Sequence, residues 1–319
     1  MKALFKKIMI WMMWYPLRIF INWLPKKFTY RVGCMGGCIL HSISKDKQKI
    51  MFHELHAVFP DKSDQELKKT VKECFVNFIL SEMEILFYPS MDKNFIERMI
   101  KIEGNENLDG ALKEGKGVLL FQAHFGAFQM VMPAIGYNGY IMNQISASAS
   151  IWKKNSQSQL QKKSYDIKAS YEYKLPVKHI DVTKNLKAVF SALKRNEIVG
   201  ITADGGGGNK TEVVEFVGRN ANFQRGGVDI AMRTGALMLP VFILTLKNFK
   251  HKLIIHPPIK FDTLRPKEEN IFKALQSYAK ILEKYVYNYP SHYGYTLYLR
   301  RSRARIDPYL FFNDYLITE

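Results

Sequence analysis

The sequence predicts an α/β fold, a central and mostly parallel sheet flanked by helices, behind an N-terminal membrane-anchoring helix. Three observations predict it. Residues 118–121, "VLLF", are apolar at consecutive positions, as a strand buried on both faces of a parallel sheet must be. Segments with helical and strand-like patterns alternate from there onward, the order that places helices on both faces of one sheet. The first stretch of the chain is bulky, apolar and basic, with no acidic residue before Asp46.

The elements follow in order. Phe59-Pro60-Asp61 marks a turn, and Ser63 stands three residues before Glu66, the spacing of a capping box that opens a helix. Leu67, Val71, Phe75, Phe78 and Ile79 recur near the helical period and give that helix an inward face. A short helix over "GALKEGKG" leads into the strand from Val118 to Phe121. "NLKAVFSALKRNE" reads as a helix with Leu186, Val189, Phe190 and Leu193 on one side, and "IVGITAD" as a strand ending in Asp204. "RGGVDIAMRTGA" is a helix feeding the strand "LMLPVFIL", "KLIIHPP" is another strand, and "KEENIFKALQSYAKILEKYVYNYP" is a long amphipathic helix. No internal repeat or low-complexity linker divides the 319 residues. The expected organisation is therefore an anchor with its basic flank over residues 1–45 and one domain over 46–319.

Charge points to a partner. Lys and Arg number 47 against 29 Asp and Glu, a net charge of +18. Lys2, Lys6, Lys7, Arg18, Lys26, Lys27, Arg31 and Lys45 all precede the first acid and flank "IMIWMMWYPLRIFINWL", residues 8–24. That stretch is broken by Pro16 and Arg18 and is short for a spanning helix, but it suits an interfacial anchor. A secretory leader is the rival, and the bulky Trp and Met residues without a small-residue cleavage site argue against it. No nucleic-acid-binding motif accompanies the basic residues. An anionic membrane surface, attracting each nearby Lys or Arg by about 1 kcal/mol, is the expected partner. Residues 151–195 carry eleven basic residues against Asp166, Glu172 and Asp181, and read either as a solvated surface or as a basic flap that meets headgroups or an acidic carrier. Cys34, Cys38 and Cys74 have neither disulfide nor zinc spacing, so small apolar side chains are expected there, with no metal.

Chemistry is expected at "FQAHFGAFQ", residues 121–129. His124 follows the buried strand, where an open α/β sheet presents reactive groups. Gln129 lies five residues on, which on a continuous helix is about 140° away. The two converge only if His124 sits in a strand-to-helix turn, and Gly126 permits such a bend. A second strip holds Asp204, four glycines, Lys210, Arg219, Arg225, Gly226, Gly227 and Arg233. It fails the G-x-x-x-x-G-K-S/T pattern, since Asp204 and Asn209 stand where glycines are required, so an ATP site is excluded. Two readings remain: a basic surface loop, or an anion site for phosphate or phosphopantetheine at a helix start.

These residues resemble a known family. "FQAHFGAFQ" is similar to the H-x4-D/E motif of the glycerolipid acyltransferase superfamily, and more closely to the late acyltransferases of bacterial lipid A biosynthesis, whose motif begins His-Phe-Gly and ends in Glu. The resemblance runs through "AVFPDKSDQE", "IEGNENLDGALKEGKGVLL", "VVEFVGRNANFQRGGVDIAMRTGALMLPVFI" and "NYPSHYGYTLYLRRSR", in order. It implies transfer of an acyl group from acyl-carrier protein or acyl-CoA, as co-substrate and with no cofactor, to a hydroxyl or amine of a membrane lipid. It places the protein at the cytoplasmic face of the bacterial inner membrane. The implied catalytic residues are His124 as general base and Gln129 in the acid's position; Asp204, Lys210, Arg219, Arg225, Gly226 and Gly227 are the expected substrate-binding residues.

Gln129 departs from the motif, because an amide can orient an imidazole but cannot offset its positive charge. Three explanations are open: Asp204, Glu212 or Glu215 substitutes; the acceptor is more nucleophilic; or the chain binds lipid or carrier without catalysis. Acyl or aminoacyl transfer from a carrier protein to a natural product is the other alternative.

Overall fold

A computed structural model of the chain describes residues 7–8, 10–21, 23–146, 158–181, 185–204, 210–262, 264–304 and 310–316. Ahead of the domain lie a π-helical turn, Met13–Leu17, and a single helical turn, Arg18–Phe20. Helices α1 (Lys26–Ile43), α2 (Lys45–Val58) and α3 (Asp64–Glu84) follow. The Ser63–Glu66 capping box is formed in both directions, and Leu67, Val71, Phe75 and Ile79 point inward as their spacing requires. Then come α4 (Lys93–Met99), β1 (Ile100–Glu103), α5 (Asn105–Lys113) and β2 (Val118–Gly126). A 3₁₀ turn, Phe128–Met130, leads into α6 (Val131–Tyr137) and β3 (Met142–Ser146). The middle of the chain holds α7 (Gln159–Glu172), β4 (Val177–Asp181), α8 (Lys187–Lys194), β5 (Ile198–Thr202), β6 (Thr211–Phe216) and β7 (Arg219–Gln224). Last are α9 (Gly226–Thr234), β8 (Leu237–Thr245), β9 (His251–Ile255), α10 (Lys267–Asn288) and α11 (Gly294–Arg303).

Seven strands form one sheet in the order β1-β9-β8-β2-β5-β3-β4, parallel except for β8 with β9. β2 lies at its centre and is buried on both faces. Leu119, Phe121, Ala123 and Phe125 join one core with α9 and α10, while Val118 and Leu120 join the other with α3 and α6. Each buried side chain of Leu or Phe size contributes about 1.5–3 kcal/mol.

The structure corrects several expectations. β2 runs on through His124 to Gly126, with a register shift between Gln122 and Gly126, so the histidine stands inside the strand's end and not beyond it. β5 stops at Thr202, leaving Asp204 in the turn that follows. Leu186 is exposed because α8 begins only at Lys187, whereas Val189 and Leu193 are buried. β6 and β7 form an antiparallel hairpin whose turn, Val217-Gly218, has φ of 49° and 75°, the left-handed pair that two-residue hairpins demand. Within residues 151–195 the described part is α7, the edge strand β4 and α8; residues 151–157 and 182–184 of the expected basic flap lie outside the described residues.

The N-terminal part packs closely. A Cβ added at Gly37 would stand 2.5 Å from Val76 Cα, and one at Gly33 2.6 Å from Leu80 Cδ2, so the glycines let α1 approach α3 almost backbone to backbone. Trp14 and Ile21 are also buried. Trp11, Ile19, Phe20, Trp23, Phe28 and Met35 remain exposed. Among the described residues no helix is long and apolar enough to cross a membrane.

Candidate active site

Gly126 sets the end of β2. Its φ is +58°, and a Cβ there would lie 2.1 Å from the Ile243 carbonyl oxygen, so only glycine fits between β2 and β8. Two residues earlier, His124 turns its ring toward the end of β5. β2 and β5 are neighbours in the sheet, although β3 and β4 separate them in sequence, and this brings Asp204 to His124.

His124 Nδ1 lies 2.9 Å from Asp204 Oδ1, and the His124 backbone N–H donates to both carboxylate oxygens at 3.0 and 3.1 Å. Tyr293 Oη donates to Asp204 Oδ2 at 3.0 Å, and Arg300 Nη2 donates to the Asp204 carbonyl. Thr296 Oγ1 donates to the His124 carbonyl at 2.7 Å. Tyr293, which stands at the N-cap of α11, and Thr296 and Arg300 within it are spaced by three and four residues, so the start and one face of that helix serve the pair. The Asp204 side chain is fully buried, whereas that of His124 is 37% exposed.

Burial by itself would raise the pKa of Asp204. The His124 charge and hydrogen bonds, together with Arg300, outweigh it and hold the carboxyl below its ordinary value. Tyr293 is pushed well above the ordinary tyrosine value, by burial first and then by Asp204, and so stays a neutral donor. With Nδ1 engaged by the carboxylate, Nε2 is the ring nitrogen left for a substrate proton. The arrangement is a carboxylate-oriented imidazole with one reactive edge open, beside the Phe128 ring at 5.0 Å.

Gln129 makes no hydrogen bond to His124 among the described residues. It is buried in the 3₁₀ turn, donates from Nε2 to Glu82 Oε1 at 3.2 Å, and its backbone carbonyl accepts from Tyr88 Oη at 2.7 Å. Glu212 pairs with Arg225 at 3.7 Å and Glu215 with Lys280 at 3.2 Å, so Asp204 alone of the three carboxylates reaches His124.

The expected anion strip is differently employed. Arg219 binds Glu54 at 2.9 Å and Asp314, and lies over Phe312 at 3.8 Å. Arg225 pairs with Glu268 at 2.7 Å and with Asp229 at 3.3 Å. Gly226 and Gly227 open α9, and a Cβ at Gly227 would stand 2.4 Å from Phe121 Cζ, so that glycine admits the helix to the sheet. Lys210 is exposed just before β6. The structure thus brings together His124 and Asp204, and gives both arginines carboxylate partners. Sequence reasoning missed Tyr293, Thr296 and Arg300; their spacing along "YGYTLYLR" was the available signal. Among the described residues no three His, Cys, Asp or Glu side chains are grouped to hold a metal.

Comparison with known proteins agrees with the resemblance in the sequence. A family model described as bacterial lipid A biosynthesis acyltransferase matches residues 2–301. The chain is similar to the lipid A biosynthesis lauroyltransferase of Escherichia coli (strain K12), 27% identical over 267 residues, or 78% of this chain and 79% of that protein. It is similar to the lipid A biosynthesis palmitoleoyltransferase of the same organism, 23% identical over 291 residues and 89% of each chain. The lipid A biosynthesis acyltransferase of Shigella flexneri matches to the same extent.

Proposed function

We propose that this chain, which belongs to the bacterial lipid A biosynthesis acyltransferase family, works at a membrane surface and moves an acyl group from acyl-carrier protein or acyl-CoA to a hydroxyl, or an amine, of a lipid A-type acceptor. His124 is the general base. Its Nε2 takes the acceptor proton as the oxygen attacks the thioester carbonyl; the C–O bond forms and the carbonyl becomes a tetrahedral oxyanion. The oxyanion collapses, the C–S bond breaks, and the imidazolium returns its proton to the departing sulfur. Asp204 holds the ring by Nδ1 and offsets its transient positive charge, while Tyr293 and Arg300 hold Asp204.

The single observation that carries this reading is the 2.9 Å contact between His124 Nδ1 and a buried Asp204 whose pKa is depressed. It also supports catalysis over a purely binding role, since a carboxylate, absent from position 129, stands beside His124 at position 204. The exposed Trp11, Ile19, Phe20 and Trp23, beside the basic N-terminal flank, support a peripheral anchor on the anionic cytoplasmic face of the bacterial inner membrane.

The test is turnover in detergent with acyl-carrier and acyl-CoA donors and a lipid extract, read by mass spectrometry. Wild type is expected to give an acylated lipid, and His124→Ala to lose it by about a thousandfold. Product that survives His124→Ala would overturn the base assignment.

A further inference from the structure

We propose that Glu82 is a specificity-determining residue of this site, its carboxylate accepting a hydrogen bond from an O–H or N–H group of the acyl acceptor beside His124. The inference rests on the acyl-transfer reading above. Glu82 is a partly buried carboxylate in the last turn of α3, and no cation pairs with it among the described residues. Its hydrogen-bond partner there is the Gln129 carboxamide at 3.2 Å. A carboxylate taken partly out of water without a counter-charge is costly, and such a group is retained where something else meets it.

The surroundings indicate what that is. Gln129 directly follows Phe128, whose ring covers one side of His124. One turn before Glu82 on the same helix, Phe78 stacks on Tyr295 with ring centroids 3.9 Å apart. Tyr295 precedes Thr296, which holds the His124 carbonyl. Phe78, Glu82, Phe128 and Tyr295 are all partly exposed, like His124 itself. Glu82 is joined through Gln129 to the turn whose Phe128 ring lies against His124, and Phe78 through Tyr295 to the helix whose Thr296 holds the His124 carbonyl. An ionised carboxylate only accepts hydrogen bonds. At the reacting end the thioester offers carbonyl oxygen and sulfur, with no donor, whereas an acceptor offers hydroxyl or amine hydrogens. Glu82 therefore serves the acceptor side.

The pair also explains why an amide suits position 129. Gln129 Nε2 donates to Glu82, and a carboxylate in its place would set two like charges in contact.

The experiment compares wild type, Glu82→Gln, Gln129→Glu and the exchange Glu82→Gln/Gln129→Glu in detergent. Affinity is measured for alkali-treated lipid A, which presents free hydroxyls, and separately for CoA, with melting temperature as the control for folding. Glu82→Gln preserves shape and is expected to weaken lipid A binding about tenfold, with CoA affinity and melting temperature unchanged. Gln129→Glu is expected to weaken binding and lower the melting temperature, and the exchange to recover the melting temperature but not the lipid A affinity, since it still lacks the carboxylate at position 82. Lipid A affinity unchanged in Glu82→Gln, or a loss confined to CoA, would overturn the proposal. Because binding is read without turnover, the two can fail separately: a wild type that binds lipid A through Glu82 but makes no His124-dependent product would overturn the acyl-transfer reading and leave Glu82 as a lipid-binding residue only.

Discussion

Two buried carboxylates, Asp204 and Glu54, are each 1% exposed, and their partners set them apart. Glu54 on α2 faces Arg219, and Tyr315 Oη donates to it at 3.1 Å; through Arg219 and Asp314 it ties α2 and β7 to residues 310–316. A guanidinium keeps its proton at any working pH, so this cluster only holds. Asp204 faces an imidazole, which can take and release a proton, and the far edge of that ring is open. Equal burial thus yields a rivet in one place and a pair able to exchange a proton in the other, decided by the chemistry of the partner and its exposure.

The contrast can be broken experimentally. Asp204→Asn should lower turnover on the order of 10³-fold while the protein stays folded, measured as kcat beside a melting curve. If instead the melting temperature collapsed, Asp204 would belong with Glu54. Arg219→Ala should do the reverse: it strands a buried carboxylate and should remove about 3–5 kcal/mol of stability in chemical denaturation, with activity per folded molecule retained. Tyr293→Phe removes one hydrogen bond to Asp204 and should destabilise by about 1–2 kcal/mol, with a lower kcat and an unchanged KM. The smallest effect is in acid. A carboxyl whose pKa is depressed in the folded state contributes stability above its unfolded value, about 3.9, and loses it as the pH falls toward the folded value. Wild type should therefore lose stability below about pH 4 faster than Asp204→Asn, read from melting temperatures across that range.

Much of this was legible in the sequence because it is local. The capping box at Ser63 and Glu66, the doubly buried Val118–Phe121 and the long helix from Lys267 each follow from residues within a turn or a strand of one another. His124 was found by its place at the end of an apolar strand. What escaped depends on long-range register. Asp204 stood among three candidate carboxylates, and what the sequence could not decide was which one: it lies 80 residues from His124, and only the strand order makes the two neighbours. Gln129 and Glu82 are 47 apart and meet because α3 crosses the turn after β2. The β6–β7 hairpin was hidden because Val217, β-branched, occupies a left-handed position that sequence rules assign to Gly or Asn. α1 packs against α3 through Gly33 and Gly37, a fit no periodicity within the first forty-five residues discloses.

The position of α11 has a consequence in time. Thr296 lies 172 residues after His124, and Tyr293 and Arg300 flank it. At about 5–20 residues per second on the ribosome, roughly 10–35 s separate synthesis of the base from synthesis of the helix that braces it. During that interval His124 and Asp204 exist without the Thr296, Tyr293 and Arg300 contacts that hold them in the finished protein. The bracing of the pair is thus set by a helix made well over a hundred residues after His124.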